Sequence, residues 1–259
     1  MDLKLKGKTA VVTGGTAGIG LAIARSLAAE GANVAVPGRT QKKLEEAFDK
    51  DSPKVRKIVA DVGTAEGAAA LIAAVPETDI LVNNVGIYEI KPFADIPDED
   101  WFRLFEVNVM SGVRLSRHYF PKMLAKNDGR VIFISSESGI MTPSEMVHYG
   151  MTKSSQLAVS RGMAELTKGT AVTVNTVLPG PTRSEGIEGF LQSISSKKNA
   201  TSAEAEAEFF QKHRQSSLLQ RLIESAEIAN LVVYLASPLS SATNGAALRA
   251  EGGLLSSIA

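Results

Sequence analysis

The chain has no cysteine, which excludes disulfides and thiol catalysis and fits a reducing, cytoplasmic setting. Histidine is scarce: His118, His148 and His213 are scattered and lack the spacing of metal ligands, so no metal is expected. Neither charge sign is in excess, with 28 Lys+Arg against 28 Asp+Glu, so nothing is set up to hold nucleic acid or an anionic membrane. No apolar stretch approaches bilayer length, and Met1–Lys8 lacks the apolar core of a signal segment. These absences leave a soluble globular protein of 259 residues, long enough to bury a full core.

What is present is an alternation. Strand-length apolar runs at Thr9–Thr13, Asn33–Pro37, Val55–Ala60, Ile80–Asn83, Arg130–Ser135, Val172–Val177 and Ala246–Ala250 are separated by helical patterns. The helical stretches lie near Gly18–Glu30, Gln41–Lys50, Ala65–Ala74, Asp100–Lys126, Glu145–Lys168 and Ala226–Ala236. Strands apolar on both faces, joined by helices of this length, predict a parallel sheet covered on both sides. That is a doubly wound α/β fold, which binds ligands at the carboxyl ends of its strands. No linker or repeat divides residues 1–259, so one domain is expected. Residues 184–217 hold a polar run between two apolar patches and read as a helical insertion.

The most informative segment is Thr13–Gly20, a glycine turn spaced Gly14-x3-Gly18-x-Gly20 between the first strand and an apolar-periodic helix. Such a turn gathers free backbone N–H groups and the positive end of a helix dipole at one point. Glycine lets a pyrophosphate approach without a Cβ in the way. Further features fall at the other strand ends: Asp61, Asn83–Gly86, Ser135-Ser136 and Pro179-Gly180. Tyr149 and Lys153 stand four apart in a helix, so their polar tips share one face. Taken singly, Ser136 would serve as a cap, Asn108 would satisfy a kinked helix, Asp61 would cap a helix and Pro179-Gly180 would make a turn. Their joint order at one edge of one sheet selects a site.

In that order and spacing, Thr13–Gly20, Asp61, Asn83–Gly86, Asn108, Ser136, Tyr149-x3-Lys153 and Pro179-Gly180 resemble the short-chain dehydrogenase/reductase family over essentially the whole chain. The resemblance implies a Rossmann fold, a nicotinamide cofactor, a homotetramer and a catalytic set of Asn108, Ser136, Tyr149 and Lys153. It places the cofactor on Gly14, Thr16, Ala17, Gly18, Ile19 and Gly20 of the turn. Arg39, Thr40, Asp61, Val62, Asn84 and Gly86 follow at the next strand ends, with Tyr149 and Lys153 at the ribose and Pro179, Gly180, Thr182 and Ser184 at the carboxamide end. Val85 and Glu251 depart from the family's usual alanine and aspartate.

The chemistry explains the residue types. Hydride addition to a carbonyl builds negative charge on oxygen, so a proton donor must stand beside it. Tyrosine, with an ordinary pKa of about 10, needs a nearby ammonium to become useful near neutrality, and Lys153 is expected to supply it. By the resemblance, Lys153 would also hold the ribose hydroxyls, Ser136 would bind the substrate oxygen, and Asn108 would hold a water in a relay to Lys153. After the second strand, Gly38 stands where an NAD enzyme would carry an acid, and Arg39 follows, a pattern favouring the 2′-phosphate of NADP(H). Ile187, Phe190, Leu191, Phe209, Phe210, Leu218 and Leu219 suggest a lid closing over a medium-sized, largely apolar carbonyl substrate, with more wall from Ile87, Tyr88, Phe93 and Met141. Two other readings share the motifs: a 3-oxoacyl-thioester reductase, needing a basic docking face with Arg130 and Lys168 as candidates, and a non-enzymatic NADP sensor.

Overall fold

Neighbouring residues of each central strand point to opposite faces, and both faces are apolar. In the computed structural model, which describes residues 1–48, 52–184, 187–197 and 200–258, Ala10 and Val12 enter one core while Val11 enters the other. The same alternation separates Ile132 and Ile134 from Val131 and Phe133. The strands are β1 (Thr9–Val12), β2 (Asn33–Gly38), β3 (Val55–Val59), β4 (Ile80–Asn83), β5 (Gly129–Ile134), β6 (Val172–Pro179) and β7 (Ala247–Ala250). They pair only in parallel, in the order β3-β2-β1-β4-β5-β6-β7. Strand order reverses between β1 and β4, and the crevice beyond their carboxyl ends is where this topology takes a ligand.

One face is covered by α1 (Gly18–Ala29) and, later in the chain, α9 (Ser225–Ala236), which pack against each other. The short α2 (Gln41–Ala47) closes the sheet edge, and the expected extension of that helix to Lys50 falls on residues outside those described. α3 (Ala65–Ala74) lies on the opposite face.

The stretch Asp100–Lys126 is not the single helix that its periodicity suggests. It is α4 (Asp98–Phe105), a π-helical turn at Glu106–Met110 and α5 (Ser111–Lys126). A π turn inserts one residue into the helical ladder, and such turns gather at functional sites. Here it turns Asn108 inward. α6 (Val147–Glu165) presents Tyr149 and Lys153 to the same crevice.

The insertion after β6 forms α7 (Ile187–Ile194) and α8 (Ser202–His213). These helices share a small core of Leu191, Ala200, Ala205, Phe209, Phe210 and Leu222. Glu185, Gly186, Lys198 and Asn199 of the expected insertion lie outside the described residues. The base is tied down by Arg183, which pairs with Glu206 at 2.8 Å and Glu224 at 2.9 Å.

Candidate active site

The glycine turn is built around Asn84. Its Nδ2 donates to the carbonyls of Thr13 (2.9 Å) and Gly14 (3.3 Å), and its N–H donates to Thr13 Oγ1 (2.8 Å). Gly14 sits at φ +63°, and a Cβ there would lie 2.8 Å from Asn84 Nδ2. At Gly20 a Cβ would meet the Gly14 carbonyl oxygen at 2.2 Å, so the loop packs this closely onto α1 only with glycine in place. Ala17 caps α1 without a side-chain hydrogen bond, and the first turn carries no acidic residue. The first-turn N–H groups and the helix dipole are therefore left for an anion, which is what a dinucleotide pyrophosphate requires. Ile19 lines the cleft just beyond.

At the end of β2, Gly38 is buried, and a Cβ would come within 2.8 Å of Leu44 and 3.1 Å of the Thr16 methyl. An acidic side chain at this position would therefore need the Leu44 and Thr16 side chains to shift. Arg39 is exposed and has no ion-pair partner among the described residues, while Thr40 caps α2 by accepting the Lys43 N–H at 3.3 Å. Asp61 does not cap a helix: its Oδ1 accepts the Gly63 N–H at 3.1 Å, and Thr64 caps α3. Val62 beside it is buried.

Ser136, Tyr149 and Lys153 line one cleft, with Gly86 at its floor and Asn108 behind it. Ser135, the neighbouring alternative, is committed to structure, its hydroxyl donating to the Lys153 carbonyl at 2.8 Å. Ser138 donates its N–H to Ser136 Oγ at 3.1 Å. Lys153 Nζ stands 5.6 Å from the centre of the Tyr149 ring and donates to the Ile134 carbonyl (3.0 Å) and Gln156 Oε1 (3.2 Å).

Burial dominates the electrostatics of both groups. Burial pushes Lys153 down to about 8, partly opposed by the charge of Glu137. Tyr149 is pushed up from its ordinary value, first by burial and then by Glu137, against a hydrogen bond with Ser136. The proton stays on the phenol, the state needed to donate to a developing alkoxide.

Asn108 lies in the π turn behind the cleft. Its amide clamps the Ile87 backbone, accepting from the N–H and donating to the carbonyl at 2.8 Å each, and donates to Thr152 Oγ1 at 3.0 Å. The link to Lys153 runs through Gln156, whose Nε2 donates to the Asn108 carbonyl at 2.6 Å. Gln156 was missed in the sequence, although its place three residues after Lys153 on one helix face was a readable signal.

At the far end, Pro179, Gly180, Thr182 and Ser184 reach the cleft as expected. Thr182 Oγ1 donates to the Gly180 carbonyl at 2.8 Å, and a Cβ on Gly180 would strike the Glu251 backbone at 2.7 Å. The walls only partly match a largely apolar substrate. Ile87, Tyr88, Ile187, Phe190 and Phe209 line the cleft, but so do Glu137, Glu145 and Arg214. Phe93 instead packs edge-on against Trp101, Phe210 is buried in the insertion's core, and Met141 and Leu218 are exposed. Periodicity finds apolar residues; it does not reveal which charged side chains a fold turns inward.

A crossover glycine turn and a Ser-Tyr-Lys cluster in one cleft define a dinucleotide-dependent oxidoreductase. The chain belongs to the short chain dehydrogenase family, whose model matches residues 8–193. It is 54% identical over 263 residues, covering all of both chains, to the uncharacterized oxidoreductase YvaG of Bacillus subtilis. It is 30% identical to the 3-oxoacyl-[acyl-carrier-protein] reductase FabG of Vibrio cholerae, covering 97% of this chain and 99% of that one. Among solved structures, the L-sorbose reductase of Gluconobacter frateurii, complexed with NADPH and L-sorbose, superposes with a TM-score of 0.92 at 28% identity over the full length of both chains.

Proposed function

We propose that the protein is an NADP(H)-dependent oxidoreductase interconverting the carbonyl and the secondary alcohol of a small molecule. The observation that carries this reading is the meeting of Ser136, Tyr149 and Lys153 in the cleft that the uncapped N-terminus of α1 also reaches. The glycine loop, Asn84 and the α1 N-terminus would hold the pyrophosphate, and Arg39, with glycine and no acid at position 38, would hold the 2′-phosphate. Thr182 and Ser184 would meet the carboxamide, and Asp61 and Val62 the adenine side. Bound NADPH supplies the hydride.

The chain's own residues do the rest. Ser136 Oγ, which donates to Glu137 in the free protein, would turn that proton to the substrate oxygen, and Tyr149 would donate to that oxygen as charge develops. Lys153 would hold the ribose hydroxyls, and its hydrogen bond to Gln156, which in turn donates to the Asn108 carbonyl, fixes the ammonium in the cleft. The reading includes a homotetramer.

The similarity to a 3-oxoacyl reductase does not favour a carrier-bound substrate. Arg130, a candidate for the docking face, is 5% exposed and donates to the carbonyls of Gly129, Ala171 and Ser237. A sensor reading is opposed by the completeness of the Ser-Tyr-Lys set.

The test is NADPH oxidation with a panel of ketones, aldehydes and 3-oxoacyl thioesters, repeated for Tyr149→Phe. The variant is expected to lose at least about 10²-fold in kcat while binding NADPH within a few-fold. More than about a tenth of the wild-type rate in the variant would remove Tyr149 as the acid.

A further inference from the structure

The cleft contains a polar pair that hydride transfer and cofactor binding do not use. Glu137 follows Ser136 directly, is 6% exposed and accepts the Ser136 hydroxyl through Oε2. Its other oxygen, Oε1, accepts a long contact of 3.4 Å from Ser138 Oγ, and the Ser138 and Glu137 backbone N–H groups also support the carboxyl. No cation forms an ion pair with it among the described residues, although burying a carboxyl without one is costly. Burial pushes Glu137 above its ordinary value, opposed by Ser136 and by the charge of Arg214.

Arg214, at the end of α8, comes from the other wall. Its Nη1 donates to the His213 carbonyl at 2.8 Å, and its Nη2 lies 3.8 Å from Glu145. The guanidinium lies 5.4 Å from the Phe209 ring centre, and its buried Nε has no hydrogen-bond partner among the described residues.

We propose that Glu137 and Arg214 select a carbonyl substrate bearing a hydroxyl on the carbon beside the carbonyl, the hydroxyketone and ketose class. This rests on the reading that Ser136 binds the carbonyl oxygen. Glu137 is bonded to that same serine, so it faces the substituent next to the reacting carbon. The Glu137 carboxyl and the Arg214 guanidinium, whose Nη2 has only the 3.8 Å contact with Glu145, line the same cleft and together offer an acceptor and a donor to a hydroxyl, which both donates and accepts. A plain aliphatic ketone leaves both groups desolvated and unmatched. A carboxylate in that position would face Glu137 and Glu145 against one guanidinium.

The test uses a four-carbon series: 2-butanone, 1-hydroxy-2-butanone and erythrulose, each reduced with NADPH. The wild-type protein is expected to favour the hydroxylated ketones by at least about tenfold in kcat/KM. Glu137→Leu and Arg214→Met should each lower that ratio by about tenfold or more, through KM for the hydroxylated substrates. Glu137→Gln, which keeps the shape and an acceptor, should retain part of it. NADPH binding by fluorescence reports whether each variant is folded. If Glu137→Leu does not fold, the ratios of the other two variants decide. A wild-type preference for 2-butanone, or ratios unchanged in variants that bind NADPH, would overturn the assignment while leaving the oxidoreductase reading intact. Failure of the wild-type protein to reduce any ketone would overturn both.

Discussion

Lys153 is a buried amine whose proton is held less tightly in the folded chain than in the unfolded one. The unfolded side chain keeps its proton to about 10.4, whereas the folded one releases it around 8. Between these values the unfolded state binds more protons, so this group makes stability rise with pH across that window. The slope approaches roughly 1.4 kcal/mol per pH unit there, before other groups are counted. Denaturant unfolding of the protein without cofactor at pH 7.5 to 10 should show that contribution, and Lys153→Met should remove it. An identical pH dependence in both proteins would show that Lys153 is not perturbed as its burial implies. Arg39 acts at the opposite end of the cofactor and is exposed, so its contribution is to recognition. Arg39→Asp is expected to raise KM for NADPH about tenfold or more, the lost charge-assisted bond alone being worth about 1.5–3 kcal/mol, with NADH use little changed. Unaltered NADPH kinetics would contradict the 2′-phosphate assignment.

Among the elements, the π turn and the insertion differ most from their expected roles. The turn at Glu106–Met110 is held by side chains distant in sequence: Gln156 reaches the Asn108 carbonyl, and Asn108 clamps Ile87. Periodicity along Asp100–Lys126 could not show this, because the partners that hold the turn lie on other elements. The insertion has its own small core, a fixed base at Arg183 and an inner wall at Ile187, Phe190 and Phe209. A self-contained helical pair on a fixed base is suited to move as a unit over the cleft. Hydrogen exchange in α7 and α8 should therefore slow when NADPH and a ketone are both present. Slow exchange already in the free protein, unchanged by ligand, would make the insertion a fixed part of the fold.

At the scale of the molecule, apolar side chains remain on the outside. Phe102 and Phe105 of α4 are 72% and 37% exposed, and Leu166, just past α6, is 66% exposed. Surface of this kind seeks cover, consistent with a symmetric assembly of copies. The C-terminus contributes less than expected: Leu254 and Leu255 are already buried within the chain, their N–H groups held by Glu251, while Ala259 lies outside the described residues. Among the described residues no helix is long and apolar enough to cross a membrane. Light scattering at micromolar concentration should give a tetramer, and a stable monomer would contradict the proposal.

The sequence by itself determined the α/β alternation, the sheet's two apolar faces, the glycine turn and the positions of Ser136, Tyr149 and Lys153. These are local facts: a strand buried on both sides must be apolar throughout, a turn at positive φ favours glycine, and residues four apart on a helix share a face. Only the tertiary structure decided that Glu137 and Arg214 enter the cleft, that Gln156 joins Lys153 to Asn108, and that burial and Glu137 push Tyr149 upward. Each depends on which distant side chains a buried polar group meets and on how much water is excluded around it. Burial and charge act through space, and no spacing along the chain encodes them.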